Sequence, residues 1–292
     1  MATVTMRTLG QNGRFANQLF QYAFLRFYAR EHGLDVQVPA WEGKKLFNTN
    51  EPDISKEFAQ VVVDTKAQLD ASCADAPLRD VDFWGYFQDI DYYCKDIAFF
   101  RGLFQPVPRV EQELTSSWQS LHGYDVVGLH MRYGDYGCGY FFETPSSWVI
   151  KALDTLWEKL NNPALYIATD DSRVWRLFKR YRPLLLDDVF QNVASCPQYY
   201  CDFWALTQAN AAMMIANSSF SYCASLLNTR CGTMLRPSLR QKGMVIYSPW
   251  SSVVLLREDT PWLRLMSKKT RFCRIYNKLR RLVVFSKPFF RI

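Results

Sequence analysis

The chain has 292 residues, enough for one large domain or two of about 150 each, and its 49% hydrophobic and 16% aromatic content excludes a disordered chain. Its formal charge of +7 sits at one end: residues 267–292 hold nine Lys or Arg and no Asp or Glu, so the rest carries −2 and a basic, nucleic-acid-binding body is excluded. No eighteen-residue apolar run occurs that would predict a transmembrane helix.

Val4–Leu9 reads as a first strand. Apolar residues at 19, 20, 23, 24 and 27 share one face of a helix over Asn17–His32, which Gly33 should stop. Val36–Pro39 is a short strand, and residues 40–80 carry no clear pattern. Val81–Tyr86 reads as a buried strand and Tyr92–Leu103 as a helix. Gln105-Pro-Val-Pro-Arg109 is a break, followed by a helix to about Leu121. Then come a strand over Val126–Met131 and a helix that Thr144 can cap and Pro145 can start, running to about Leu160. Leu165–Ala168, Met213–Ala216 and Met244–Tyr247 read as strands, and Ser172–Tyr181, Asp202–Asn210 and Ser221–Leu227 as helices. This repetition predicts parallel sheets with helices on both faces, and a ligand at the carboxyl ends of strands where the strand order reverses. The expected division is a first α/β domain over 1–122, a second over 123–266 and a basic tail over 267–292.

Four segments follow strands and carry polar chemistry. Gly10-Gln-Asn-Gly13-Arg14-Phe15-Ala16-Asn17 offers a tight turn at a helix start, where backbone N–H groups suit an anion; an ordinary βα turn explains it equally well. In His130-Met-Arg132-Tyr-Gly-Asp135, an arginine at a strand end can fork onto phosphate and so stabilise charge building on a pyrophosphate leaving group. The bland alternative is a core His130 and an Arg132–Asp135 pair. Asp170-Asp171 could bond a guanine or sugar hydroxyls, or cap the next helix. Ser218-Ser219-Phe220-Ser221 offers hydroxyls and amides at another helix start, or again a cap. The triplets Asp80-Val-Asp82 and Asp89-Ile-Asp91 are too short to argue for a metal. A nicotinamide fold would need Gly-x-Gly-x-x-Gly, which is absent.

Taken in order, these segments resemble glycosyltransferase family 11, the α-1,2-fucosyltransferases. The resemblance rests on Gly13-Arg-Phe-Ala-Asn-Gln-Leu-Phe-Gln-Tyr-Ala23, Gly85-Tyr-Phe-Gln88, His130-Met-Arg-Tyr-Gly-Asp-Tyr136, Ile215-Ala-Asn-Ser-Ser-Phe-Ser221 and Val245-Ile-Tyr-Ser-Pro-Trp250, and spans about residues 8 to 250. It implies an α/β, GT-B-like fold of two Rossmann-like domains facing a donor cleft. It implies GDP-β-L-fucose as donor, inversion, a β-galactoside acceptor with a free 2-hydroxyl, and no cofactor or required metal. Arg132 then matches the residue that holds the pyrophosphate. Gly13, Arg14, Phe15 and Asn17 match the loop that faces it, and His130, Asp170, Asp171, Ser218, Ser219, Phe220 and Ser221 would contact the nucleotide. Asp135 and Glu143 are candidates for the general base, unless a dissociative route leaves catalysis mainly to Arg132. Two departures stand out: the motif's second arginine is Tyr133 here, and the usual aromatic pair after Phe-Ser is Tyr222-Cys223. The same fold with another GDP-deoxysugar, or a non-catalytic nucleotide- or glycan-binding module, are the competing readings.

The N-terminal residues lack a signal-peptide pattern, so a cytoplasmic chain with eight reduced cysteines is expected. In the tail, Phe272, Ile275, Tyr276, Leu279 and Leu282 follow helical spacing away from most of the cations. A basic amphipathic helix suits peripheral contact with an anionic membrane and a lipid-linked glycan acceptor; packing of its apolar face on the domain is the alternative.

Overall fold

A computed structural model of the chain describes residues 2–64, 77–137 and 141–258. The basic tail at 267–292, and with it the expected amphipathic helix, lies outside the described residues. The chain divides into two compact units, the first ending at Glu111 and the second starting at Gln112, ahead of the boundary at 122 that the sequence suggests.

The first unit is built on four parallel strands, β1 (Thr3–Thr5), β2 (Asp35–Gln37), β3 (Gln60–Val63) and β4 (Val81–Trp84), in the order β2-β1-β4-β3. Strand β3 lies in the stretch that showed no pattern. Helix α1 (Phe15–His32) ends at Gly33 as expected, but it is buried on nearly every side, not on one face: Phe15, Gln18, Gln21, Tyr22 and Leu25 join the predicted apolar stripe. The aromatic content explains why. Phe24 stacks on Phe87 at 3.9 Å and meets Phe83 edge-on at 5.0 Å, and Tyr22 lies 4.9 Å from Trp41. Most of the rings named in this unit are core.

Strand β1 stops at Thr5, short of the predicted Leu9, because the next backbone groups find other partners. The Arg7 amide donates to Asp82 Oδ1 at 2.9 Å and Leu9 turns back onto Met6. After a four-residue helix, α2 (Gly43–Leu46), the expected helix over 92–103 is two 3₁₀ turns followed by α3 (Ile97–Gly102), which Asp96 caps. Helix α4 (Pro108–Trp118) follows the Pro-rich break.

The second unit has five strands, β5 (Asp125–Met131), β6 (Pro163–Thr169), β7 (Ala212–Met214), β8 (Met234–Ser238) and β9 (Gly243–Ile246), ordered β6-β5-β7-β8-β9. The first four run parallel; β9, predicted as one more parallel strand, is an antiparallel edge on β8. Strand β8 escaped the sequence reading because Arg236 and Pro237 interrupt its apolar pattern. Strands β5 and β6 are near-continuous apolar runs because both faces are covered. Helix α5 (Ser146–Trp157) contributes Val149 and Leu153 to that core. Thr144 does not cap it: Pro145 occupies the cap position, and Thr144 Oγ1 is buried without a partner. Ser172–Tyr181, predicted helical, is two 3₁₀ turns. A one-turn helix, α6 (Leu186–Val189), leads to α7 (Gln198–Gln208) and α8 (Ser219–Leu227). Among the described residues, no helix is long and apolar enough to cross a membrane.

Candidate functional site

Each sheet reverses its strand order once. In the first unit the chain leaves β1 towards β2 on one side and later returns to place β4 on the other; in the second, β5 separates β6 from β7. The crevice outside the carboxyl ends of such a strand pair is where open α/β sheets bind ligands. All four polar motif segments lie at these two places.

At the first, the turn Gly10–Arg14 follows β1 and Gly85–Gln88 follows β4. The two are tied by side-chain amides of α1. Gln21, fully buried, donates through Nε2 to Asn12 O at 2.9 Å and to Gly85 O at 2.8 Å. Gln88 Nε2 donates to Asn17 Oδ1 at 2.7 Å. Asn17 folds back over Gly13, which has φ +87°; a Cβ there would lie 2.4 Å from Asn17 Nδ2, so both conformation and space demand glycine. Asp64, after β3, accepts from the Phe87 and Tyr86 amides at 2.6 and 3.2 Å, and burial raises its pKa. Of the predicted residues, Arg14 is exposed and supplies no side-chain cap to α1, while Phe15 turns into the core beside Phe47, with ring centroids 6.4 Å apart.

At the second, Arg132 leaves the end of β5 with its guanidinium between two carboxylates. Nη2 reaches Asp135 Oδ1 at 2.8 Å and Nη1 reaches Asp170 Oδ2 at 3.0 Å, and the Tyr136 ring centroid lies 5.7 Å from Cζ. Asp170, at the end of β6, also accepts from the Tyr133 and Gly134 amides at 2.8 and 2.7 Å. It clamps the loop that carries Arg132. A Cβ on Gly134 would lie 2.4 Å from Asp170 Oδ2, so the close approach needs glycine. The Arg132 side chain keeps 19% of its exposure and Asp135 54%, which leaves the cation reachable from solvent.

Helix α8 starts beside this loop's anchor. The Tyr136 hydroxyl donates to Asn217 O at 3.1 Å, and burial pushes its pKa up to about 12, so it stays a donor. Ser218 caps α8, accepting from the Phe220 amide at 3.3 Å. Ser221 is buried and meets His130 Nδ1 at 2.8 Å, while the His130 ring lies 5.2 Å from Phe220. Burial holds the His130 pKa down at about 4 against a smaller upward pull from Asp170, so the ring is neutral near pH 7.

The remaining predicted residues divide. Asp171 bonds Arg173 Nε at 2.8 Å and its amide at 3.1 Å, capping the 3₁₀ turn after β6. Glu143 is buried, with 6% exposure. The structure thus brings Arg132, Asp135, Asp170, His130 and Ser218–Ser221 together in one unit, and Gly13 and Asn17 together in the other. Tyr133, at the position of the motif's second arginine, is 5% exposed and packs in the sheet core with Met131 and Val149. Tyr222 and Cys223 are buried too, and the Tyr222 hydroxyl donates to Pro249 O.

Sequence reasoning missed the residues that hold the motifs in place. Asn217 Oδ1 accepts from the Leu256 amide at 2.8 Å and its Nδ2 donates to Leu256 O at 3.0 Å. Arg236, 2% exposed, reaches Val253 O at 2.7 Å and Asn217 Oδ1 at 3.3 Å, and burial lowers its pKa. A lone arginine in a broken strand pattern was the available signal. The discounted acidic triplets are also structural: Asp82 pairs with Arg7 Nε at 2.7 Å, Asp80 pairs with Lys56, and Asp89 caps a 3₁₀ turn. A surface cavity of about 490 Å³ in the first unit lies against the C-terminal half of α1, lined by Arg26, Arg30, Asn50 and Glu51 among others. It includes none of the motif residues, so we place the candidate site at the switch points instead.

The architecture is a mixed α/β fold with parallel sheets, as in the GT-B fucosyltransferases. The NodZ α-1,6-fucosyltransferase of Bradyrhizobium, in crystals soaked with GDP-fucose, matches with a TM-score of 0.56 at 12% identity, over 85% of this chain and 99% of that one. Arabidopsis thaliana FUT1, as an arginine-to-lysine variant bound to GDP, matches at 0.55 and 10% identity over 84% and 74% of the two chains. POFUT1 in complex with GDP-fucose matches at 0.53 and 9% identity over 80% and 98%. No protein-family model and no curated protein sequence matches the chain.

Proposed function

We propose that this chain is an inverting glycosyltransferase that moves L-fucose from GDP-β-L-fucose to the 2-hydroxyl of a β-galactoside in a glycan. The observation that carries the reading is Arg132: a solvent-reachable guanidinium at the switch point of a sheet, held by Asp170 and Asp135, in a fold shared with structures solved with GDP-fucose or GDP. The family resemblance of the motifs points the same way and adds the acceptor.

In this reading the diphosphate of the donor takes the exposed side of Arg132. Asp170 stays, because it is also bonded to two backbone amides, and Asp135 gives way. The fixed cation then acts where charge develops as the glycosidic bond breaks. The amides at the start of α8 and the Ser218 hydroxyl lie nearby for a phosphate or ribose. Neutral His130 holds Ser221 and so the first turn of α8. Asp135, released from the guanidinium, accepts the acceptor proton more readily than buried Glu143 does. Because Arg132 supplies the charge that a metal supplies elsewhere, no metal is required. The 267–292 segment, with nine cations, would hold the enzyme at an anionic membrane; unchanged liposome binding after its deletion would refute that part.

The test is GDP release from a panel of GDP-sugars with a β-galactoside acceptor in EDTA. Release with GDP-fucose, lost in Arg132→Ala, supports the proposal. Release only with another GDP-sugar moves the donor, and GDP binding without any turnover makes the chain a binding module.

A further inference from the structure

The loop between α6 and α7 brings two cysteines together at a place no motif touches. Cys196 Sγ lies 3.7 Å from Cys201 Sγ. Cys196 sits just before Pro197, the residue that opens α7, and Cys201 lies in the first turns of that helix. Both are free thiols. They differ in access: Cys201 is 2% exposed, whereas Cys196 is partly exposed. The loop is not left to drift, because the Ala194 and Ser195 amides both donate to Glu113 Oε2 on α4 at 2.9 Å.

The geometry points to a reversible disulfide site: Cys196 and Cys201 form an intramolecular bond by exchange with a small-molecule disulfide such as glutathione disulfide. The roles are unequal. Cys196 is the attacking sulfur, since it can be reached, and the hydrogen bond from Cys201 lowers its pKa. The same bond, together with burial, raises the pKa of Cys201, so it stays protonated while Cys196 attacks first. In the first step the Cys196 thiolate attacks one sulfur of the small disulfide. Its S–S bond breaks, one glutathione thiolate leaves and takes up a proton, and a mixed disulfide remains on Cys196. In the second, Cys201 loses its proton to solvent and attacks Cys196 Sγ, and the second glutathione leaves. Two protein thiols are oxidised by two electrons, and one small disulfide is reduced to two thiols. The bond requires the sulfurs to approach from 3.7 Å to about 2.05 Å.

The experiment equilibrates the full-length protein in glutathione buffers of rising disulfide fraction, quenches with acid and alkylates with a maleimide under denaturing conditions. It then weighs and fragments the tryptic peptide that carries both residues together with Cys223, which keeps its own adduct. The expected result is joint loss of two maleimide adducts, with the internal disulfide exceeding the glutathione adduct on Cys196 by at least about tenfold, because the neighbouring thiol acts at high effective concentration. Cys201→Ser should trap glutathione on Cys196, and exposed Cys94 reports glutathionylation at a site outside the pair. The inference is overturned if both thiols stay alkylated at every ratio, or if the glutathione adduct on wild-type Cys196 persists unresolved.

Discussion

The two switch points are built alike and held differently. At the first, the turns after β1 and β4 are joined mainly by neutral amides, Gln21 to Asn12 and Gly85 and Gln88 to Asn17, with the Arg7–Asp82 pair beneath them and Asp64 on the Tyr86 and Phe87 amides. At the second, the turns after β5, β6 and β7 are joined by charge and burial: Arg132 between Asp135 and Asp170, a buried His130 on Ser221, and a buried Arg236 behind Asn217. Neutral amide networks fix shape at little electrostatic cost. Desolvated charges are worth that cost where charge must be met in return. On the proposed function, we infer from this difference that the first turn is scaffold and the second carries the chemistry.

The largest effect should come from breaking the charge at the second. Arg132→Ala is expected to lower kcat for GDP release by about 10²–10³-fold, the usual loss when a preorganised group aimed at developing charge is removed. Arg132→Lys should recover only part, because an ammonium cannot span two oxygens as the fork does. Asp170→Asn should cost roughly tenfold with a larger change in kcat than in KM, since Asp170 positions Arg132. Initial rates under saturating GDP-fucose decide this. An Arg132→Ala enzyme with near-normal kcat would erase the distinction between the turns.

Next comes the pH dependence of stability. The native His130 pKa, about 4, lies below its unfolded value of 6.5. Between those values the unfolded chain binds a proton that the native chain refuses. Stability is therefore whole above about pH 6.5 and falls as pH drops towards 4, by roughly 3 kcal/mol. Asp202 works in the opposite sense. Burial pushes its pKa up to about 7 against the downward pull of the Tyr166 hydroxyl, which donates to it at 2.7 Å, so its contribution is lost as pH rises. The raw profile mixes the two. Urea midpoints of wild type minus His130→Gln, followed from about pH 7 to about 4.5, isolate the histidine. A flat difference would mean that the ring is hydrated and the second site less buried than it is here.

Much of this was legible in the residues. The β–α alternation gave the parallel sheets, and the Gly13–Asn17, Arg132–Asp135 and Ser218–Ser221 segments could be placed after strands because Gly and helix-start residues mark such turns directly. What stayed hidden was long-range. Gln21 reads as one more helix residue, and only the fold brings Gly85 to it across 64 positions. Arg236 reads as a strand breaker, and only the fold shows it buried against Asn217. Strand β3 lies in a stretch without pattern and Arg236 and Pro237 interrupt β8, so their pairing partners, and not their own periodicity, define them; β9 read as a strand, but its antiparallel pairing on β8 did not. Asp171 could not be told from Asp170 in sequence; the structure gives one to a cap and the other to Arg132.

The two glycines offer the same insult at both turns. Gly13→Ala introduces a side chain at φ +87° and pushes Asn17 off Gln88, which should cost about 2 kcal/mol of stability. Gly134→Ala pushes on Asp170, and its main effect should be a fall in kcat of roughly tenfold with a smaller stability loss. Measured side by side by urea unfolding and GDP release, a swapped pattern would reverse the division of labour.

The smallest expected effect is also the most specific. Gln88→Ala removes the donor to Asn17 Oδ1 and nothing charged, so it should cost about 1 kcal/mol. If the first turn is scaffold, that loss appears in the urea midpoint and leaves the KM for GDP-fucose within about twofold, because the Gln21 bonds to Asn12 and Gly85 still hold both turns. A large rise in that KM with unchanged stability would instead mean that Asn17, orientated by Gln88, touches the donor. The neutral turn would then belong to the chemistry as much as the charged one does.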